Sequence, residues 1–405
     1  MDSKHPNPDH CTYFVQRKKR YCKMLVKAGK KFCGEHHKVS DDPDLTQDNL
    51  SEIRIVCPLD NKHTVYANNL EKHLKICNAR PQKQEPYIQK NINSGIPETS
   101  VEEDTLQILS SFPKAQVLTI IDRVNKIYNN NITISGNLLT FPLIENEIKP
   151  EYGNKTKKHL KQASAIVGLL QKYKMLKDNT CYIEFGAGRG QLSYWVAKAT
   201  ESQKNSTILL IERDSPKHKK DNKLAKTTDQ IQRIRADIAD IVLDKIDIIK
   251  NSEHIVGITK HLCGAATDLT LRCLTSTEET KNKVHGTILT FCCHHRCEWT
   301  PYTGKSFFKA NGLSITDFNV MCRLSSWATC GSREFEENKL TDNEQDYGLG
   351  KAEREEIGRR CKNIINWGRL MHLKEHNLEC FLHYYVETSI TLENVALVAI
   401  KSKAV

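Results

Sequence analysis

Short apolar runs alternate with helical stretches from residue 181 onward, and this pattern strongly constrains the fold. The predicted strands lie at 181–185, 208–211, 255–258 and 287–291, and the predicted helices at 190–200 and 265–275. Such alternation predicts an α/β fold, in which a parallel sheet carries helices on both faces. Two further apolar runs near the C-terminus, 381–386 and 394–400, predict a strand pair that closes the sheet.

A glycine-rich loop follows the first predicted strand of this series. Glu184, Gly186, Gly188 and Gly190 form the pattern E-x-G-x-G-x-G, in which glycine permits a tight turn and a close approach of the backbone to a ligand. The spacing differs from the dinucleotide-binding fingerprint G-x-G-x-x-G. One βα unit later, Glu212 ends a strand, where its carboxylate is well placed to bind a ribose diol.

This combination resembles motif I of the Rossmann-like methyltransferases. The resemblance implies that the glycine loop holds the methionine part of S-adenosylmethionine and that Glu184 orients this region. It also implies that Asp237, which follows the next apolar stretch, contacts the adenine. A tight turn in any α/β protein could produce a similar loop, but Glu212 and the strand alternation argue against that simpler interpretation.

Cysteine and histidine spacing predicts a small zinc-binding module at the N-terminus. Cys11, Cys22, Cys33 and His36 follow the pattern C-x10-C-x10-C-x2-H, and His37 is an alternative fourth ligand. Three thiolates and one imidazole form a closed tetrahedral set of the kind that structural zinc sites use. A unit this short needs such a staple to fold. The simpler interpretation is a group of unconnected thiols.

A second module is predicted from Cys57, His63, His73 and Cys77, spaced C-x5-H-x9-H-x3-C. His73 and Cys77 are four residues apart, so on a helix they share one face and can hold one ion. The pattern resembles the CHHC finger of minor-spliceosome and RNA-methylation proteins. Metal binding is favoured over disulfides because the N-terminus lacks the order of a secretory signal and the 15 cysteines are an odd number.

The net charge of +11 is concentrated near the N-terminus. Residues 1–38 contain ten Lys/Arg and three Asp/Glu, a net charge of +7. A basic patch predicts a polyanionic partner such as nucleic acid, although a solvated tail can have the same composition. Within the patch, Arg17, Lys18, Lys19 and Arg20 are candidates for RNA contact.

The sequence has no apolar run of 18 residues or more, so we expect no membrane-spanning helix. We also expect an intracellular protein of the cytoplasm, the nucleus or both, with no membrane association and no evident obligate protein partner.

Two segments that follow the fourth and fifth predicted strands carry candidate reactive side chains. Lys260 begins the first segment and His294 lies in the second, and the carboxyl ends of strands are where open α/β sheets bind ligands. Methylation of an oxygen requires an in-line approach and removal of a proton. Lys260 is our first candidate for the base or the group that orients the hydroxyl, and His294 is the second.

Both segments have alternative interpretations. Lys260 could bind phosphate, and Cys292 with Cys293 could be buried strand residues. The Cys/His cluster at 292–297 could also be a third metal site, although adjacent residues of a strand point to opposite faces and this argues against it.

Over nearly its whole length the chain is similar to the eukaryotic tRNA 2′-O-methyltransferases that modify nucleotide 4 of the acceptor stem. The similarity lies in the two Cys/His modules, the glycine loop and the segments 260–264, 266–269, 292–297 and 325–331. It implies methyl transfer from S-adenosylmethionine to the ribose of C4 or A4 in tRNAs such as tRNA-Gly and tRNA-Pro, with two structural Zn²⁺ ions. Arg323 and Trp327 become candidates for gripping the stem, and core packing is an equally good explanation of Trp327.

We therefore divide the chain into a CCCH-type zinc-binding module at 1–40, a CHHC-type zinc finger at 53–81, a linker at 82–112 and a methyltransferase domain at 113–405. The last has a helical N-terminal extension and a substrate-facing insertion around 298–380. This insertion includes a basic helix whose residues are further candidates for gripping the stem, namely Arg354, Arg359, Arg360 and Lys362.

Two other functions stay open at this point. The first is a zinc-finger RNA-binding protein with an inactive methyltransferase domain, and the intact glycine loop and Glu212 argue against it. The second is a methyltransferase that acts on a protein or on a base nitrogen. The absence of an Asn/Asp-Pro-Pro-aromatic motif after the fourth predicted strand, together with the basic modules, argues against the second.

Overall fold

The structure is a computed structural model. It describes residues 9–16, 19–26, 29–33, 36, 54–77, 79–80, 85–97, 107–136, 138–216, 220, 231–330 and 347–402, without the side chains of Lys62 and Cys330. The chain divides into two units, Met1–Glu85 and Pro86–Val405.

The described residues of the unit Met1–Glu85 form two short hairpins and one α-helix. Its elements are β1 (Phe14–Val15), β2 (Arg20–Tyr21), β3 (Arg54–Cys57), β4 (Asp60–Tyr66) and α1 (Leu70–Ile76). β1 pairs with β2 and β3 with β4, both antiparallel. Among its described apolar side chains, the buried ones are four cysteines and Val65. The cysteines therefore occupy the places where a larger domain would have an apolar core.

An eight-stranded sheet lies at the centre of the unit Pro86–Val405. Its strands are β5 (Ile134–Ser135), β6 (Thr180–Phe185), β7 (Thr207–Ile211), β8 (Ile231–Ile234), β9 (His254–Cys263), β10 (Val284–Cys292), β11 (Leu378–Tyr384) and β12 (Val395–Lys401). They lie in the order β5-β11-β12-β10-β9-β6-β7-β8. The neighbours pair in parallel except for β12, which is antiparallel to β10 and β11. This confirms the predicted α/β class.

Helices cover both faces of the sheet. They are α2 (Lys114–Asn131), α3 (Pro142–Glu145), α4 (Asn154–Lys172), α5 (Gln191–Ala199), α6 (Asp247–Lys250), α7 (Ala266–Leu274), α8 (Glu278–Lys283), α9 (Lys305–Ala310), α10 (Ile315–Leu324), α11 (Trp327–Cys330) and α12 (Lys351–Glu375). In the part of the chain that the structure describes, no helix combines the length and apolar character needed to cross a membrane.

Successive residues of β6 contribute to two different apolar clusters. Tyr182 packs in one cluster with Ile166 of α4, and Ile183 packs in another with Leu271 of α7 and Leu373 of α12. Because neighbouring residues of a strand point to opposite faces, α4 lies on one face of the sheet and α7 and α12 lie on the other. Burial on both faces explains why the central strands are almost continuously apolar.

The predicted insertion at 298–380 contains α9 to α12. The first half of α12 packs with α2, α9 and α10 around an aromatic cluster that includes Trp299, Tyr302, Phe308 and Phe318. The second half of α12 packs on the sheet. The segment is therefore a structural layer of the domain, and its role in facing a substrate stays a prediction.

The structure confirms the predicted strands at 181–185, 208–211, 255–258, 287–291, 381–386 and 394–400 to within a few residues at their ends. The two edge strands, β5 and β8, were not predicted from the sequence. β5 is two residues long, and β8 places Gln232 and Arg233 between its isoleucines. Edge strands are partly solvated, so they lack the continuous apolar run that marks the central strands.

Residues 86–97, inside the predicted linker at 82–112, belong to the second unit and pack against its residues 238–242. Asn93 is 1% exposed, and its side-chain amide donates hydrogen bonds to the backbone oxygens of Ile238 (2.7 Å) and Ile241 (2.8 Å). This part of the predicted linker is therefore wrong, because the segment is a strap of the folded domain. Its polar composition conceals this, since the strap is held by hydrogen bonds of Asn93 together with the packing of only two apolar side chains, Tyr87 and Ile88.

Candidate functional site

The strand order reverses beside β6. The chain continues from β6 to β7 and β8 on one side, whereas β9 and β10 lie on the other side. Open α/β sheets bind ligands outside the carboxyl ends of their strands at such a switch point. The glycine loop follows β6, and Lys260 lies near the end of β9. The fold therefore brings the two most informative sequence motifs to one crevice.

The glycine loop turns the chain from β6 into α5 through three residues of positive φ, Gly186 (65°), Gly188 (50°) and Gly190 (71°). A Cβ atom on Gly186 would lie 2.8 Å from Cδ1 of Leu262. Gly190 is the N-cap residue of α5 and has a left-handed backbone, which side chains rarely adopt. Around Gly188 a Cβ atom would meet nothing within 4 Å, so a ligand has room to approach the backbone there.

Glu184 is buried at the end of β6 and joins this strand to α5. Its carboxylate accepts hydrogen bonds from the backbone nitrogen of Ser193 (2.9 Å) and from the Ser193 hydroxyl. Burial raises the pKa of Glu184 to about 7, although the Ser193 hydrogen bonds and the charges of Lys260 and Arg233 oppose this rise. These hydrogen bonds tie the end of β6 to α5, the two elements that the glycine loop connects. Direct contact of Glu184 with a ligand stays a prediction.

Glu212 and Asp237 follow the neighbouring strands β7 and β8. The Glu212 carboxylate accepts hydrogen bonds from the backbone nitrogens of Gly188 (2.8 Å) and Asp214 (2.9 Å). Asp237 accepts one from the backbone nitrogen of Ala239 (3.0 Å). Glu212 thus touches the glycine loop directly. A single ligand can contact both the loop and this carboxylate.

Lys260 lies where β9 contains a bulge. Between Thr259 and Leu262, β9 has one more residue than the facing stretch of β10, and His261 has a positive φ of 63°. Such a left-handed residue is typical of a β-bulge, which redirects side chains. The Lys260 Nζ atom lies 3.4 Å from Nδ1 of His159 on α4.

The surroundings of Lys260 favour a neutral amine. Burial lowers the pKa of Lys260, although the charge of Glu184 raises it. Burial and the charge of Lys260 also lower the pKa of His159, and they bring the pKa of His261 down to about 4. His261 Nε2 donates a hydrogen bond to Oε1 of Gln162 (3.0 Å). At neutral pH the lysine therefore lies beside two neutral imidazoles and one buried carboxyl group.

His159 and Gln162 were not predicted as site residues from the sequence. Each lies four residues before an apolar residue of the buried face of α4, Ala163 and Ile166 respectively. The sequence signal for these two residues is that they extend the apolar face of α4 with polar side chains. The signal is weak because the first turns of a helix are commonly solvated.

The structure contradicts the prediction that His294 is a second candidate base. His294 is 2% exposed, and its Nε2 donates a hydrogen bond to Oδ1 of Asn366 (2.9 Å). Burial, with the charges of Arg369 and Lys362, keeps its pKa well below the usual range. An imidazole in the core cannot reach a substrate hydroxyl.

The predicted ligands of the first module meet. His36 Nδ1 lies 3.3 Å from Sγ of Cys11 and 3.4 Å from Sγ of Cys33, and the sulfurs of Cys22 and Cys33 are 4.0 Å apart. Zinc bonds of 2.0–2.3 Å in a tetrahedron separate ligand atoms by roughly 3.3–3.8 Å, so the set fits zinc. His37, the alternative ligand, lies outside the described residues.

The ligands of the second module fit zinc equally well. The Nε2 atoms of His63 and His73 are 3.1 Å apart, and the sulfurs of Cys57 and Cys77 are 3.8 Å apart. His73 Nε2 is 3.2 Å from the Cys57 sulfur, and His63 Nε2 is 3.6 Å from the Cys77 sulfur. Asp60 lies 3.3 Å from the other ring nitrogen of His63, where a carboxylate orients a metal-binding imidazole.

The predicted RNA-binding residues differ in their surroundings. Lys19 and Arg20 are exposed beside the turn between β1 and β2, whereas Arg17 and Lys18 lie outside the described residues. Arg323 is half-buried and donates from Nε to the backbone oxygen of Gln107 (2.5 Å).

Trp327 packs within the domain. Its ring centroid is 5.7 Å from that of Tyr347, and the guanidinium carbon of Arg354 lies 5.6 Å above the ring. The structure therefore favours packing as the explanation of Trp327.

The basic residues of α12 are also less available for contact with RNA than the sequence predicts. Lys362 is buried and forms an ion pair with Glu393 (2.7 Å). Arg359 and Arg360 both form ion pairs with Glu356 at 3.0 Å. The structure contradicts a contact between Lys362 and RNA, because this ammonium is already paired within the core.

Comparison with known proteins gives the family. Residues 161–400 match the family described as Methyltransferase TRM13. The chain belongs to the TRM13 methyltransferase family. Residues 9–37 match the CCCH zinc finger in TRM13 protein, and residues 54–78 match the U11-48K-like CHHC zinc finger. The two predicted zinc-finger types and the predicted family are thus confirmed.

Relatives match the chain over most of its length. The Mus musculus protein named tRNA:m(4)X modification enzyme TRM13 homolog is 34% identical over 98% of this chain and 95% of its own length. The Schizosaccharomyces pombe tRNA:m(4)X modification enzyme TRM13 is 33% identical over 88% of this chain and 97% of its own length. Among solved structures, a SAM dependent methyltransferase from Aquifex aeolicus has 9% identity and a TM-score of 0.30, and covers 62% of this chain and 100% of its own. The assignment to the TRM13 family rests on the match of residues 161–400 and on the mouse and fission-yeast relatives.

Proposed function

We propose that this protein transfers a methyl group from S-adenosylmethionine to the ribose 2′-hydroxyl of nucleotide 4, C or A, in the acceptor stem of tRNAs such as tRNA-Gly and tRNA-Pro. The observation that carries the proposal is the meeting of Lys260, Glu184 and the glycine loop at the switch point of the sheet, in a chain of the TRM13 family. The names of the mouse and fission-yeast relatives support tRNA as the substrate.

The cofactor has a suitable site along the carboxyl ends of β6, β7 and β8. In this proposal the backbone of Gly186, Gly188 and Gly190 holds the methionine part, Glu212 accepts hydrogen bonds from the ribose hydroxyls and Asp237 contacts the adenine. The open space at Gly188 and the contact between Gly188 and Glu212 support the fit. When bound, S-adenosylmethionine would supply a methyl group on a positively charged sulfonium, whose sulfur leaves as a neutral thioether when the methyl–sulfur bond breaks.

Lys260 is the proposed catalytic residue. A ribose hydroxyl is a weak acid, so its proton must leave as its oxygen attacks the methyl carbon. A neutral Nζ atom at the end of β9 can accept this proton, and burial favours that neutral form. His159, at 3.4 Å from Nζ, holds the amine in position and so helps to align the acceptor.

Positive charge near the same edge of the sheet supports an RNA substrate. Arg296 and His295 are exposed on the turn after β10, and the charges of Arg296 and Arg323 help to lower the pKa of His295 after the larger effect of burial. A-form RNA is recognised mainly through its phosphates, its shape and its 2′-hydroxyls. Lys19 and Arg20 add exposed positive charge on the CCCH finger, in which a structural Zn²⁺ ion is proposed, as in the CHHC finger.

Methyl transfer from labelled S-adenosylmethionine to unmodified tRNA transcripts tests the function. A 2′-O-methyl group removes the nucleophile that alkali needs to cleave the next linkage, so we expect the label in an alkali-resistant dinucleotide whose sequence begins at nucleotide 4. Label in mononucleotides would indicate base methylation and contradict the proposal. Transfer to a protein, or to no acceptor in the presence of bound cofactor, would support the protein-methylating and inactive alternatives respectively.

We expect Cys57→Ser to remove one zinc ion, unfold the CHHC finger and weaken tRNA binding at least about tenfold, which corresponds to ~1.4 kcal/mol. Loss of a ligand removes the metal that holds such a finger folded. Binding of S-adenosylmethionine should be unchanged, since the proposed cofactor residues belong to the unit Pro86–Val405. Filter binding of tRNA and calorimetry with the cofactor measure the two effects.

The control for this variant is Asn61→Ser, because Asn61 is exposed on β4 and is not a ligand. It should bind tRNA as the wild type does. Equal tRNA affinity in Cys57→Ser and Asn61→Ser would exclude a contribution of the CHHC finger to RNA binding.

A further inference from the structure

We propose that Cys263, Cys292 and Cys293 bind a third zinc ion, in the methyltransferase domain, at the carboxyl ends of β9 and β10. Among the described residues, three groups of side chains place their ligand atoms within 4.8 Å of one another. Two of these groups are the N-terminal fingers, and the third consists of these three thiols. The family comparisons assign no metal to this part of the chain.

The backbone brings Cys263 and Cys292 together. β9 and β10 are parallel neighbours, and Cys263 pairs directly with Cys292 at their carboxyl ends. The bulge at His261 shifts the last residues of β9 by one position relative to β10. Because side chains alternate along a strand, this shift determines on which face the Cys263 sulfur lies. It lies beside the Cys292 sulfur, at 2.9 Å.

Cys293 joins the pair because its backbone leaves the strand conformation. Adjacent residues of a strand point to opposite faces, so a straight strand would separate Cys292 from Cys293. Cys293 instead has a left-handed backbone with φ 52°, a conformation that is sterically unfavourable for a residue with a side chain. Such conformations persist where the surroundings enforce them and are common at ligand sites. Here the turn brings a third sulfur to the first two.

The donor set selects a soft divalent ion. Thiolates favour zinc over magnesium or calcium, and three protein ligands leave one position of the tetrahedron for water. Cys263 is exposed, whereas Cys292 and Cys293 are half-buried, so the open position faces the solvent. The ion would join the carboxyl ends of β9 and β10.

The finger sites provide a reference for the geometry. Sulfurs on a tetrahedral zinc ion are about 3.8 Å apart when the zinc–sulfur bonds are about 2.3 Å, and the Cys57 and Cys77 sulfurs are 3.8 Å apart. The 2.9 Å separation between Cys263 and Cys292 is shorter. Rotation of the exposed Cys263 side chain can open the pair to the zinc distance. A disulfide between these two residues is the competing state that the experiment must distinguish.

Metal analysis of the full-length protein tests the proposal. Protein purified under reducing conditions should contain three zinc ions per chain by inductively coupled plasma mass spectrometry, and Cys263→Ser should contain two. Cys293→Gly removes a ligand but suits the left-handed backbone, so it should fold and also contain two. The control Cys380→Ser, on β11 outside all three groups, should retain three. Two zinc ions in the wild type, or three in Cys263→Ser and Cys293→Gly, would overturn the proposal.

Alkylation of Cys263 provides a second readout that does not depend on activity. With zinc bound, iodoacetamide should label Cys263 at least about tenfold more slowly in the native protein than after treatment with a strong chelator, as followed by peptide mass spectrometry. Reductant alone should not increase the labelling. Labelling that requires reductant and ignores the chelator would show a disulfide, and immediate labelling without either would show a free thiol. Both results would overturn the proposal.

Discussion

Lys260→Ala is expected to slow methyl transfer to tRNA by about 10²–10⁴-fold, the range that a positioned general base contributes. Binding of S-adenosylmethionine should persist, because the proposed cofactor contacts come from the glycine loop, Glu212 and Asp237. Single-turnover transfer of label measures the first quantity and calorimetry measures the second. The control is Lys161→Ala, an exposed position on α4 close to His159 in sequence, which should react at the wild-type rate.

The variant Lys260→Arg distinguishes a role of Lys260 as a base from a role as a fixed positive charge. Arginine keeps the charge but does not lose its proton in a protein. If Lys260 is the base, Lys260→Arg should be about as slow as Lys260→Ala. If its charge only orients the hydroxyl, Lys260→Arg should recover much of the rate. A wild-type rate in Lys260→Ala would exclude both roles.

The pH dependence of the methyl-transfer rate also distinguishes the two possible roles of Lys260, because each role predicts an opposite direction of change. A base must be neutral to accept a proton, so the rate of the wild type should rise with pH below the pKa of Lys260 and level off above it. Burial lowers this pKa, which moves the plateau toward neutral pH. An orienting ammonium predicts the reverse, a rate that falls as pH rises through the pKa. The slope should vanish in Lys260→Ala if this residue causes it.

Asp268→Asn is expected to lower the free energy of unfolding of the second unit by about 3–5 kcal/mol, the cost of leaving one partner of a buried ion pair uncompensated. Asp268 and Arg369 are both at most 1% exposed. The carboxylate accepts bonds from Nε (3.1 Å) and Nη2 (2.6 Å) of Arg369. It also accepts bonds from the backbone nitrogen and the hydroxyl of Thr303, both at 3.1 Å. Urea denaturation followed by circular dichroism measures the change.

Two comparisons make this result specific. Asp247→Asn removes the charge from an exposed pair with Lys250 and should change stability by less than about 0.5 kcal/mol. The double variant Asp268→Leu/Arg369→Met should be more stable than Asp268→Asn, because no charge is then left unpaired in the core. A loss below about 1 kcal/mol in Asp268→Asn would contradict the importance assigned to this pair.

The buried ion pair of Asp268 and Arg369 also supports the turn after β10. Arg369 Nη1 donates a hydrogen bond to Asn366 (3.0 Å), and Asn366 also accepts the hydrogen bond of His294. Arg369 Nη2 lies 3.2 Å from the Cys297 sulfur. His294, the second candidate base, and Cys297 of the Cys/His cluster are therefore held inside the domain by a buried network that begins on α12.

The sequence by itself determined the features that depend on neighbouring residues. Strand and helix periodicity specified the central sheet, because each central strand is buried on both faces and must be apolar along its length. Ligand spacing specified both zinc fingers, since Cys57, His63, His73 and Cys77 belong to one hairpin and one helix. The glycine loop was predictable for the same reason, as its positive φ angles are local requirements of one tight turn.

Only the tertiary structure decided which of the candidate side chains meet. Asp268 and Arg369 are 101 residues apart in sequence, and Lys260 and His159 are also 101 residues apart, so no local pattern pairs them. The direction of a side chain near a strand end depended on a single bulge residue, His261, and on the left-handed backbone of Cys293. Because one extra residue in a strand exchanges its two faces, the packing of the sheet and helices placed Lys260 in the crevice, His294 in the core and three thiols side by side.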